Sequence, residues 1–77
     1  MNITIHICKY GGTVPLEMPG ATTALYAAKR AADALGYEGE DAHWMLRPAL
    51  SAEPLHDDTV MGEHDGQGFY VVRPRKG

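Results

Sequence analysis

Two stretches of strict alternation on either side of a glycine pair constrain this chain more than anything else in it. Ile3, Ile5 and Ile7 alternate with Asn2, Thr4, His6 and Cys8, and Val14, Leu16 and Met18 repeat the period beyond Tyr10-Gly11-Gly12. Successive side chains of a strand point to opposite faces, so a period of two with β-branched residues on one side marks a half-buried strand. Joined through glycines, the two strands read as an antiparallel hairpin, which Pro19-Gly20 closes.

The period then changes. From Thr22 or Thr23, either of which suits an N-cap, an alanine-rich helix carries Leu25, Ala28, Ala32 and Leu35 on one stripe and Tyr26, Lys29, Arg30 and Asp33 on the solvated side. Gly36 stands where a C-cap glycine belongs. Small alanines let the helix approach a sheet closely, which compensates for a shortage of large core residues. A charge at Ala28 is therefore expected to be severely destabilising. After the polar loop Tyr37-Glu38-Gly39-Glu40-Asp41, the run His43-Trp44-Met45-Leu46-Arg47 reads as a short strand ended by Pro48, with Trp44 and Leu46 on one face and Met45 on the other. Residues 49–64 form an irregular region with room for a small helical turn or short strand. Asp65-Gly66-Gln67-Gly68 is a turn ahead of the last strand, Phe69-Tyr70-Val71-Val72.

Seventy-seven residues make one domain, of a size that buries only about 60% of the unfolded chain's surface, with room for one sheet and one helix. No apolar run approaches the ~20 residues of a membrane span, and Met1-Asn2-Ile3-Thr4-Ile5 lacks the features of a signal peptide. The single cysteine, Cys8, has no internal disulfide partner. A cytoplasmic location is expected. The net charge of −3 divides unevenly: five acids (Glu53, Asp57, Asp58, Glu63, Asp65) fall within thirteen residues, while three of the seven basic residues sit in the last five positions. Lys9, Lys29, Arg30 and Arg47 are too scattered to make the basic face that nucleic acid requires. Neither nucleic acid nor membrane is an expected partner.

That basic end, Arg73-Pro74-Arg75-Lys76-Gly77, has no apolar side chain. Pro74 cannot donate to a sheet ladder and biases its predecessor toward extended conformations, so the strand should end there and the rest project into solvent. Gly77 brings no side chain to a narrow channel, and its carboxylate is a group that another enzyme could activate.

A hairpin, a helix, a third strand and a last strand leading into an Arg-x-Arg-x-Gly tail resembles the order of ubiquitin and of the β-grasp fold. The resemblance spans essentially the whole chain and implies an α+β fold, a mixed four- to five-stranded sheet packed on one helix, with residues 1–72 as the domain and 73–77 as a tail. Trp44-Met45-Leu46-Arg47, followed by Pro54-Leu55-His56-Asp57-Asp58-Thr59-Val60, is also similar to the small prokaryotic ubiquitin-like proteins. What the resemblance implies is a protein modifier without catalysis or cofactor of its own. Activating-enzyme-like and conjugating-enzyme-like proteins, a deconjugating protease and target proteins would be its partners. Gly77 would be the conjugated residue, and Arg73, Pro74, Arg75 and Lys76 the part held in partner enzymes' channels. Ubiquitin ends in two glycines; Lys76 departs from that and places a long charged side chain at the narrowest point. The same fold also serves as a non-conjugated binding module, similar to ubiquitin-like subunits of bacterial secretion machinery, and as a sulfur carrier, whose members likewise end in two glycines.

Other constellations are weaker. His6 and Cys8 share a strand face, but two ligands do not make a metal site, and the β-grasp order would separate them from His43 by the last strand. His56-Asp57-Asp58 and Glu63-His64-Asp65 lack the spacing of a calcium loop and read as a solvated acidic face. No base is nominated for Cys8 as a nucleophile, and Gly11-Gly12 has no phosphate-loop context. A partner surface is better founded. If Ile5 and Val71 face the helix, then Thr4, His6, Met45, Tyr70 and Val72 face outward on neighbouring strands as a mixed apolar patch suited to protein recognition or self-association.

Overall fold

The structure, a computed structural model, describes residues 1–37 and 43–73. The alternating segments become β1 (Asn2–Lys9) and β2 (Gly12–Pro19), antiparallel from Asn2 opposite Pro19 to Lys9 opposite Gly12. Tyr10 and Gly11 form the loop, and Gly11 has φ 88°, in the left-handed region that favours glycine. The helix α1 (Ala24–Ala34) follows, then β3 (Met45–Pro48), a 3₁₀ turn (Met61–His64) and β4 (Gly68–Val72). The four strands lie in the order β2-β1-β4-β3, with β1 and β4 parallel and the other pairs antiparallel. This is the β-grasp arrangement, with four strands.

One face of the sheet supplies Ile3, Ile5, Ile7, Met18, Leu46 and Phe69 to the core. Opposite them the helix buries Ala24, Ala27, Ala28, Ala31 and Ala32. The stripe is rotated from the sequence expectation: Ala28 and Ala32 are buried as expected, while Leu25 and Leu35 lie half-buried at its margins. Alanine wins the centre because the backbones approach too closely there for leucine. Arg30 is half-buried rather than free on the solvated side, and its guanidinium donates to the Glu17 carbonyl at 3.0 Å. Val14 and Leu16 are only half-buried because β2 is an edge strand, and Val71 packs against the core while only half-buried.

Thr23 holds the N-cap position but makes no side-chain cap. Its job passes to the irregular segment: the Ala24 and Leu25 amides donate to the carbonyls of Thr59 and Asp57, and the Met61 amide donates back to Thr22. This stitching drives Met61 into the core with no exposed surface, a burial that no periodicity announced. At the other end Gly36, at φ 75°, donates to the Asp33 carbonyl and Tyr37 to that of Ala32, the paired bonds of a Schellman cap.

Each sheet edge carries a feature that limits further pairing. Leu55 donates to the Leu46 carbonyl along the outer side of β3. On β2, a two-residue loop makes Lys9 and Gly12 a hydrogen-bonded pair, so Pro15 and Pro19 fall at the alternate positions whose nitrogens face solvent. Proline there removes donors from the free edge at no loss to the ladder.

Two outcomes check this packing. Ala28→Asp should cost roughly 3–5 kcal/mol, on the order of the whole stability of so small a domain, and abolish the cooperative thermal transition by circular dichroism; a melting temperature near the parent's would mean that this helix face does not meet the sheet. Replacing Pro15 and Pro19 together by valine should raise concentration-dependent self-association in sedimentation velocity, and unchanged behaviour would remove the prolines' protective role.

Candidate recognition face and tail root

The face turned away from the helix follows from the ladder. Thr4, His6 and Cys8 come from β1, Gly68, Tyr70 and Val72 from β4, and Met45 and Arg47 from β3. Met45 stands opposite Val72 and Arg47 opposite Tyr70, while His6 lies beside Gly68. Tyr70 is 41% exposed; His6, Met45 and Val72 are half-buried. With Ile5 fully buried and Tyr70 accessible, the register agrees with the sequence reading. The glycine between His6 and Tyr70 leaves His6 at the margin, and extending the β1–β4 register sets Cys8 beside Tyr70.

Three contributors escaped the sequence. Arg47 lies with its guanidinium 4.8 Å from the Tyr70 ring centroid and donates to the Ser51 carbonyl at 2.6 Å, so it fixes both the ring and the turn after β3. Tyr10 is fully exposed at the hairpin tip. Leu50 is fully exposed on the turn that Arg47 holds. The signal for Arg47 was its place two residues beyond Met45, which puts both on one strand face.

Arg73 is the one tail residue within the described range. Its guanidinium sits 4.7 Å from the Trp44 ring centroid, and the Tyr37 ring lies 5.2 Å from Trp44 at an interplanar angle of 36°. Arg73 directly follows Val72, the last residue of β4, as Trp44 directly precedes Met45, the first of β3, and Trp44 packs against the core on the helix side. Pro74, Arg75, Lys76 and Gly77 lie outside the described residues.

The acidic segment is only partly a solvated face. Asp65 accepts the Thr4 amide at 2.9 Å, and Asp57 meets the His43 ring at 2.9 Å. His64 bonds Gln67 at 3.0 Å and packs edge-on against Phe69. Among the described residues no three His, Cys, Asp or Glu side chains come together as a metal site, and no helix is long and apolar enough to cross a membrane.

Strand order, the single helix across the sheet and the parallel β1–β4 pair define a ubiquitin-like β-grasp fold. Similar folds occur in a chain of the toluene 4-monooxygenase HD complex with the inhibitor 4-bromobenzoate (TM-score 0.78, 12% identity, 96% of this chain and 100% of that one) and in the pParkin–pUb–UbcH7 complex (TM-score 0.70, 19% identity, 96% of this chain). The chain spans only 23% of the matched chain in the latter. A ubiquitin-like protein from the hyperthermophilic archaeon Caldiarchaeum subterraneum aligns over all of both chains at 23% identity with a TM-score of 0.48. No protein-family model matches the sequence, and no curated protein does.

Phe69 and Tyr70 are adjacent on opposite faces, which makes a direct comparison. In urea denaturation Phe69→Ser should lose about 3–5 kcal/mol and Tyr70→Ser less than about 1 kcal/mol. Equal losses would place Tyr70 in a core.

Proposed function

We propose that this protein is a cytoplasmic ubiquitin-like modifier, closest in kind to the small prokaryotic ubiquitin-like proteins, recognised through the β1-β4-β3 face and joined to targets through Gly77. It is a substrate of activating and conjugating enzymes and has no catalysis of its own. The observation that carries the reading is positional: the basic tail follows directly from β4 at the end of the sheet where Met45 and Val72 pair. One enzyme surface is thus able to grip the face and receive the tail.

The chemistry needs only the terminal carboxylate. Its oxygen attacks the α-phosphate of ATP and expels pyrophosphate, which leaves an acyl adenylate. An enzyme thiolate then attacks the acyl carbon and AMP departs; finally an amine takes the acyl group and releases the thiol. Arg73, Arg75 and Lys76 steer the tail toward an acidic entrance, an attraction that salt weakens.

A second reading, a non-conjugated binding subunit, draws support from the toluene 4-monooxygenase chain, which is matched over 100% of its length and belongs to a complex. Incubation with a cognate activating enzyme and ATP separates the two. The modifier should yield a thiol-sensitive adduct that deletion of Gly77 abolishes, that Arg73→Glu with Arg75→Glu slows at least tenfold at low salt, and that Tyr70→Ser with Val72→Ser weakens through KM while the fold persists. If a demonstrably competent enzyme forms no adduct, the non-conjugated subunit takes its place.

A further inference from the structure

We propose that Trp44 is the seat that fixes the direction in which the C-terminal tail leaves the domain, by holding the Arg73 guanidinium on its ring. The inference rests on the modifier reading only for its consequence in conjugation. Three observations converge on it. Met45 pairs with Val72 as the last pair of the ladder, and Trp44 and Arg73 are the residues that adjoin that pair on the two strands. The guanidinium lies 4.7 Å from the ring centroid, within the range of a cation–π contact, for which tryptophan offers the strongest ring. The ring itself is held before Arg73 arrives, since Trp44 packs on the core and against Tyr37.

The consequence is geometric. With Arg73 seated on Trp44, the root of the tail is held at the end of the sheet where Met45 and Val72 pair. Lifted from Trp44, Arg73 is anchored only through its bond to Val72. The face used for recognition lies on one side of the sheet and the tail's fastening on the other, so a partner gripping Tyr70 and Val72 does not displace Arg73. Trp44 is a positioning residue: it acts on the reacting glycine through Arg73.

NMR of the intact protein tests this directly. The Arg73 methylene protons should show upfield ring-current shifts, and the amides of Arg73, Arg75, Lys76 and Gly77 should gain mobility in Trp44→Leu but not in Trp44→Tyr, which keeps an aromatic face. Arg73→Gln approaches the contact from its exposed side without touching the core, and should change the emission of Trp44, the chain's single tryptophan, while the melting temperature stays put. In the adduct assay, Trp44→Leu and Arg73→Gln should each raise KM roughly two- to fivefold with kcat unchanged, and the double variant should do no more than either alone. Random-coil shifts for Arg73 in the parent, or tail mobility indifferent to Trp44→Leu, would overturn the proposal, as would additive losses in the double variant. Failure of the parent to form any adduct would sink the modifier reading instead, and the NMR comparison would then decide the seat by itself.

Discussion

The domain depends on β1 being bonded along both edges while its inner face lies under the helix. β2 satisfies one edge along its full length. β4 is only five residues long and pairs with the upper part of the other edge, so the turn before it finishes the task. Asp65 takes the Thr4 amide, Gly66 donates to the Thr4 carbonyl, and Gln67 accepts from His6. Each buried group left unpaired would cost about 1–3 kcal/mol, a serious loss for a domain whose total stability is a few kcal/mol. The same strand places Ile3, Ile5 and Ile7 against the alanine face of α1, so pairing and core formation are one event.

Where side chains alternate or recur at 3.6 residues, this architecture was legible in the sequence. The hairpin, the helix and its glycine terminus, the strand through Leu46 and the register of Tyr70 all follow from periodicity. What was not legible lay in segments without a period. Met61 is core because backbone carbonyls around Thr22 and Thr59 hold its turn in place, and backbone hydrogen bonds leave no mark on residue type. The helix stripe was misjudged by a fraction of a turn for a related reason: hydrophobic size favoured Leu25 and Leu35, whereas close approach to the sheet favoured the alanines between them. Asp65 likewise looked like part of an acidic surface, and serves as a backbone acceptor.

The recognition face was legible in part. Met45, Tyr70 and Val72 share an outward face as alternation requires; Arg47 joins that face by its spacing from Met45, but its contact with the Tyr70 ring depends on the β3–β4 register, which the fold supplies. Arg73, which precedes the proline expected to end the strand, lies over the Trp44 ring, a contact that residue type alone does not announce. The exposed Tyr70 and the Arg73–Trp44 contact thus lie on opposite sides of one sheet, separated by the thickness of a single layer.

The parallel pairing of His6 with Gly68 has a consequence for how the chain comes to be folded. The strand that all others lean on finds its second neighbour only after more than sixty intervening residues, and the loop-closure entropy of that contact must be met before the core rewards it. A nascent chain leaving the ribosome holds the hairpin and helix long before β4 exists, with the isoleucines of β1 covered only in part. Until the last strand emerges the inner face of β1 stays partly open to solvent; once it does, pairing joins residues from both ends of the sequence.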